Sequence, residues 1–254
     1  MDELQEIIDT ACDIAERASE IALSYFRQAI LIEMKENMTP VTIADKKTEE
    51  MIRKELTLAF PGFGICGEEF GEEGADAELV WTVDPIDGTR SFIKGIPLFG
   101  TLLGLMQHGE PIGGVMILPA LRESYMAAKG MGTFCNGHQL HVSQKAAIES
   151  AFISVGDTDC FEASNTTRTL SNIIAKAELV RGYTDCFGHS LVLRGGIDAM
   201  IDPVVNLWDI APLACLVKEA GGEYYSFSGE TTIRAGNFIT SGAPLKPEIL
   251  SLLS

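Results

Sequence analysis

Positive charge is what this chain has least of: 19 Lys and Arg stand against 36 Asp and Glu in 254 residues, a net charge of −17. A field of that sign repels a phosphate backbone, so no nucleic-acid partner is expected, while metal ions and ammonium groups are attracted. Long apolar runs are missing too. The longest, around residues 97–106, contains two glycines and is too short to span a bilayer, so no membrane partner is expected. The chain opens M-D-E-L-Q-E, without the basic start and apolar stretch of an export signal. No C-x-x-C pair occurs among the six cysteines, which argues against zinc knuckles and dithiol redox motifs. The scattered thiols read as those of a reduced, cytoplasmic protein. Repeats, low-complexity tracts and long linkers are also lacking.

What is present is an ordinary globular composition, 46% hydrophobic and 22% charged, with enough length for one sizeable core. Residues 4–26 place Leu4, Ile7, Ile8, Ala11, Ile14, Ala15, Ala18, Ile21, Ala22, Tyr25 and Phe26 on one face, which predicts a long amphipathic helix. A second helix is expected over 44–60, stopped by Pro61-Gly62. Short strands follow at 79–83, 101–107, 113–118 and 123–128, with hairpin turns at 108–111 and at Asn136-Gly137. The second half reads as strands at 151–155, 178–181, 199–201, 223–227 and 237–240. Its helices are expected at 166–177, 188–195 and 208–220, with a short one at the end. Helices mixed with hairpins predict α+β layers rather than a simple parallel sheet. The chain is read as one catalytic unit over 1–254, with two lobes, 1–145 and 146–254, as an alternative division.

Acids at the ends of these elements carry the chemistry. The strand at 79–83 runs into W-T-V-D-P-I-D-G-T (81–89), where Pro85, which cannot donate to a ladder, is expected to stop it. Asp84 and Asp87 then offer two hard oxygen ligands beside Gly88 and Thr89. A short helix beginning near Arg90 would point free N–H groups at an anion. Carboxylates beside a phosphate cradle are what Mg²⁺ requires. D-P and D-G are also ordinary turn dipeptides, so a plain turn is the competing reading. Similarly, Glu68-Glu69 after an apolar strand reads as ligands or as a solvated pair, and Asp209 in W-D-I-A-P (208–212) as a ligand or a helix cap.

Taken together, G-E-E (67–69), W-T-V-D-P-I-D-G-T (81–89), W-D-I-A-P (208–212) and P-V-T-I-A-D (40–45) resemble the signature segments of the inositol monophosphatase superfamily, in order and spacing across nearly the whole chain. The resemblance implies a layered αβαβα sandwich of the inositol monophosphatase/fructose-1,6-bisphosphatase type, assembled as a homodimer. It also implies two or three Mg²⁺ ions, lithium sensitivity and hydrolysis of a small phosphorylated metabolite. By the same resemblance Glu68, Asp84, the Ile86 carbonyl, Asp87 and Asp209 are metal ligands and Gly88 and Thr89 bind phosphate. Asp45 pairs with Thr89 to prepare the attacking water. Lys35 lies where the family often has a lysine. No histidine or cysteine stands in these motifs to act as nucleophile, so direct attack by water is expected.

Within the superfamily, R-S-F after D-G-T, then G-I-P-L-F-G-T (95–101) and D-C-F-G-H (185–189), resemble the histidinol-phosphatase branch. Where inositol enzymes carry a Glu seven positions before the W-D acid, this chain has Asp202. Asp185 and Asp202 read either as surface-turn acids or as partners for the ammonium of histidinol phosphate, a group that inositol phosphate lacks. Asp209 belongs to the same substrate face. His189 reads as a substrate contact or a hydrogen-bonded structural histidine, and Arg194 as a substrate contact or a partner of a surface acid. Arg90 and Lys94 would add positive charge near the phosphate. Inositol 1-phosphate, a sugar bisphosphate and a 3′-phosphonucleotide are the rival substrates; a non-catalytic metal- or phosphate-binding regulator is the rival class.

Overall fold

The computed structural model describes residues 2–35 and 39–253. The chain opens with α1 (Asp2–Tyr25), which buries the apolar stripe formed by Ile8, Ala11, Ile14, Ala15 and Ala18. A small hairpin of β1 (Ile32–Met34) and β2 (Pro40–Thr42) leads into α2 (Ile43–Ala59). Next come β3 (Gly64–Gly67), β4 (Gly71–Glu73), β5 (Leu79–Asp87), the short α3 (Thr89–Ile93), β6 (Gly100–Gln107), β7 (Glu110–Leu118), β8 (Glu123–Ala128), β9 (Gly132–Cys135) and β10 (His138–Gln139). These eight strands form one sheet in the order β10-β9-β8-β7-β6-β5-β3-β4. Neighbours are antiparallel except β3 and β5, which run parallel.

The second sheet contains β11 (Phe152–Val155), β12 (Leu179–Arg181), β13 (Ala199–Asp202), β14 (Glu223–Tyr225) and β15 (Phe238–Ser241), in the order β12-β11-β13-β15-β14. The remaining helices are α4 (Thr158–Ala163), α5 (Thr167–Lys176), α6 (Asp185–Leu193), α7 (Leu207–Glu219) and α8 (Lys246–Leu250). One apolar cluster joins α1 and α2 to the outer face of the large sheet through Ile8, Ile52, Leu56, Trp81, Leu103 and Val115. Another joins its inner face to α6 and α7. A third packs α4, α5 and α8 on the far side of the small sheet. The layers are therefore α-β-α-β-α. Helix α7 is apolar almost all round, with Ile210, Ala211, Leu213, Ala214, Leu216 and Val217 buried, as a helix between two sheets must be. Among the described residues no helix is long and apolar enough to cross a membrane.

Several boundaries differ from the expectations, among them the start of β7 at Glu110 and the end of β14 at Tyr225. Strand β5 does not stop at Pro85 but continues to Asp87, with a register shift between Asp84 and Asp87. A bulge has no ladder bond for Pro85 to lose, so proline is tolerated there. The helix expected over 166–177 is preceded by a separate one, α4. The helix expected from 188 begins at Asp185, whose φ of 58° is in the left-handed region.

Candidate metal centre and active site

The bulge in β5 builds the centre. Asp84 pairs with Leu102 and Asp87 with Gly100, so three steps on β5 oppose two on β6. In a regular strand residues three apart face opposite sides; the extra residue turns Asp87 back toward the side of Asp84. Parallel pairing of β3 with β5 sets Gly67 against Val83, and Glu68 N–H continues that ladder to the Val83 carbonyl at 3.1 Å. Glu68 thereby stands beside Asp84. The third element is the start of α7, where the Asp209 carboxylate accepts from the Asn206 backbone N–H at 2.7 Å. Asp84, Asp87 and Asp209 each offer a carboxylate oxygen within 4.8 Å of the others.

Three carboxylates that close cannot all ionise cheaply. Burial, reinforced by Glu68, Asp87 and Asp209, holds Asp84 well above the usual carboxylate range. Burial, with Asp185 and Asp209, does the same to Asp87. Burial pushes Asp209 up to about 7, with Glu68 adding to it and the Asn206 hydrogen bonds opposing it. Hard oxygen donors, partly desolvated and uncompensated by any neighbouring cation within the trio, fit a divalent metal of the Mg²⁺ type. Glu68 lies outside the trio, with Lys35 Nζ 2.8 Å from it and 2.7 Å from Glu69.

Asp45 occupies in α2 the position that Asp209 has in α7: third residue of the helix, its carboxylate closing on the cap. Thr42 donates to Asp45 through its backbone N–H at 2.8 Å and its hydroxyl at 2.6 Å. The other Asp45 oxygen lies 3.3 Å from the Thr89 hydroxyl, which also lies 2.9 Å from the Ile86 carbonyl. The expected Asp45–Thr89 pair is therefore formed, beside the expected ligand carbonyl. Gly88, at φ 83°, makes the left-handed turn that starts α3.

Across Gly88 lies Asp185. Burial pushes its carboxyl up to about 7, opposed by the Thr184 hydroxyl at 2.8 Å and reinforced by Asp202. A cavity of about 60 Å³ connects Asp87, Asp185, His189, Asp202 and Asp209. Asp202 is not a turn acid: it ends β13, is buried, and meets His189 Nε2 at 2.8 Å. His189 Nδ1 meets Thr240 Oγ1, also at 2.8 Å, so this histidine is hydrogen-bonded on both sides. Arg194 pairs with Glu123 and lies against Tyr125, away from this cavity. Arg90 Nη1 reaches Asp157 and Asp159, both at 3.0 Å. It and Lys94 line an outer depression that Asp185 shares. Trp81 is fully buried against Phe60 and serves as a packing residue.

Two contributors escaped the sequence reading. Cys186 backbone N–H donates to Asp87 at 2.5 Å, while burial, reinforced by Asp87, holds its thiol well above the usual range. Glu49 is fully buried in α2 and accepts from the backbone of Glu69 and Phe70. The signal was an acid in register with Asp45, Ile52 and Leu56 on the buried stripe of α2.

The sequence model of the inositol monophosphatase family matches residues 3–253. The chain belongs to the inositol monophosphatase family. It is 36% identical to a histidinol-phosphatase of Chlorobaculum parvum, over 92% of this chain and 91% of that protein. It is 34% identical to a histidinol-phosphatase of Mycobacterium tuberculosis, over 96% of each. Among solved structures it superposes on the extragenic suppressor protein suhB of Bartonella henselae with a TM-score of 0.90 at 27% identity, covering 99% of this chain and 98% of that one. Membership of this inositol monophosphatase family makes the chain a phosphoric monoester hydrolase of a generally Mg²⁺-dependent kind.

Proposed function

We propose that this member of the inositol monophosphatase family hydrolyses histidinol phosphate to histidinol, using Mg²⁺ and water. The observation that carries the reading is a set of acids with two jobs. Asp84, Asp87 and Asp209 meet within 4.8 Å, and Asp185 and Asp202 line a cavity with Asp87 and Asp209 without belonging to that trio. The first set, with Glu68 and the Ile86 carbonyl, would hold two or three Mg²⁺ ions, which supply charge neutralisation for the phosphate and a lowered pKa for water. The Gly88–Thr89 turn orients the phosphate. The Thr89 hydroxyl takes a proton from the attacking water, and Asp45, 3.3 Å away, receives the hydroxyl hydrogen. The second set faces the leaving group. A carboxylate there favours an ammonium, whereas a polyol gives it only neutral hydroxyls. The histidinol-phosphatase names of the relatives at 36% and 34% identity point the same way. We also propose that the protein is a cytoplasmic homodimer; light scattering on the purified protein checks the dimer, and cell fractionation the compartment.

The test is side-by-side kinetics on histidinol phosphate and inositol 1-phosphate with Mg²⁺. Wild type is expected to prefer histidinol phosphate in kcat/KM by at least about tenfold, the value of one charge-assisted contact. Asp185→Asn is expected to erase most of that preference. Equal turnover of the two substrates by wild type would end the assignment.

A further inference from the structure

The acid at position 49 has no place in the reaction as described, yet it is one of the most completely buried charges in the molecule, with 0% exposure. One helical turn further along α2, Arg53 places its Nε 2.8 Å from Glu49 Oε1, and among the described residues it is the cation that pairs with this acid. The remaining capacity of the carboxylate is spent on one stretch of backbone. Glu69 N–H donates to Oε2 at 2.7 Å and Phe70 N–H to Oε1 at 3.3 Å. Arg53 in turn donates to the Gly71 carbonyl and lies 3.7 Å from Glu73. The pair therefore holds both ends of the turn between β3 and β4.

Glu68 is the residue where that turn begins. Its own N–H still belongs to the β3–β5 ladder, and the next two N–H groups belong to Glu49. Gly67 has no side chain at the point where a Cβ would land on the Glu49 carboxylate. Glu69, fixed by Glu49 through its backbone, shares Lys35 with Glu68. The position of the Glu68 carboxylate thus depends on a buried acid nineteen residues earlier in the chain.

We infer that Glu49 is a positioning residue for the metal centre, holding Glu68 in ligand geometry, with Arg53 balancing its charge so that it does not add to the repulsion among the carboxylates. The inference rests on the reading of Glu68 as a metal ligand. Outer partners of metal ligands typically govern affinity by about 10–100-fold.

Mg²⁺ binding by calorimetry, with no substrate present, tests it on four variants. Glu68→Gln controls the underlying reading. Glu49→Asp keeps the charge and shortens its reach, Glu49→Gln removes the charge, and Glu49→Gln with Arg53→Met removes both charges so that neither is left buried alone. Each folded Glu49 variant is expected to bind Mg²⁺ about tenfold more weakly, and kcat at saturating substrate is expected to recover as Mg²⁺ is raised. A residue that only braces the fold would lower the melting temperature and leave the Mg²⁺ Kd alone. If Glu68→Gln weakens binding and the folded Glu49 variants keep the wild-type Kd, the positioning role is wrong. If Glu68→Gln itself binds as wild type does, the ligand reading of Glu68 fails, whatever the Glu49 variants do. Glu49→Asp makes the smallest change, and its Kd decides the matter if the other two do not fold.

Discussion

Asp84 shows how one residue can serve the site at the expense of the metal-free fold. Its carboxyl is buried beside Glu68, Asp87 and Asp209, and nothing in the trio offsets the crowding. Asp84→Asn removes a charge and keeps an oxygen for the Ile86 N–H, now 3.0 Å from Asp84 Oδ1. The metal-free melting temperature is expected to rise, by about 2–4 °C per kcal/mol of relief in a chain of this size. Mg²⁺ should raise the melting temperature of wild type, since a ligand of the native state stabilises it, and should do little for the variant. Scanning fluorimetry with and without Mg²⁺ reads both effects, and an unchanged Mg²⁺ response would remove Asp84 from the centre. The thiols give a second residue-scale expectation. Burial pushes Cys215 up to about 12 from the ordinary 9.0, with Glu219 adding to it. The folded thiol keeps a proton that the unfolded chain gives up, so its contribution is complete below pH 9 and is lost as pH rises toward 12. The loss is about 1.4 kcal/mol for each pH unit in that window. Cys215→Ala should flatten the alkaline fall of the melting temperature, and an identical slope would show that this thiol is not its source.

Where β5 gives way to α3, the geometry of a single turn joins the phosphate side of the site to the substrate side. Gly88 takes φ 83°, and a Cβ there would stand 3.0 Å from the Leu98 carbonyl and 3.2 Å from Asp185 Oδ2. Gly88→Ala is expected to cost about 1–2 kcal/mol from the left-handed backbone alone. It should cost more in catalysis, about 10²-fold in kcat/KM, because Thr89 and Asp185 are both displaced. A loss confined to the melting temperature would separate the turn from the chemistry. Elements whose pattern lies in their own residues were legible in the sequence: the 3.6-residue stripe of α1, the apolar α7, and the strands from β5 to β8 with their turns. The Asp45–Thr89 pairing was legible only through resemblance to relatives. Features decided by a partner were not legible. Strand β5 passes Pro85 because its pairing with β6 bulges there, which the dipeptide Asp84-Pro85 does not reveal. Helix α4 buries only Phe161, too little to stand out as a stripe. Glu49 shares the buried stripe of α2, but the N–H groups of the turn after Glu68 that fill its carboxylate are not visible from that stripe.

Across the whole molecule, the stretch leading to the alternative lobe division after residue 145 is tied to the second half of the chain. Val142 N–H reaches the Ala220 carbonyl at 3.1 Å; Ser143 Oγ and Lys145 Nζ lie 2.5 and 3.1 Å from Asp198. At the end of α7, Glu219 accepts from the N–H groups of Gly130, Met131 and Gly132, at 2.9, 3.0 and 2.9 Å. The helix itself supplies the inner cover of the large sheet, packing Leu213, Leu216 and Val217 into the cluster that holds Leu102, Met116 and Leu118. The candidate centre is divided in the same way, with Asp84 and Asp87 from one sheet and Asp209 from the helix between the two. A chain laced like this should unfold as one cooperative body. Calorimetry is expected to show a single transition whose calorimetric and van't Hoff enthalpies agree. Glu219→Gln should lower that transition without splitting it. Residues 1–145 alone should fail to melt cooperatively, because the inner face of their sheet would lose α7 and meet water. Two resolved transitions, or a fragment with a sharp melt of its own, would mean that the two sheets fold independently and that Asp209 reaches the other carboxylates only when they dock.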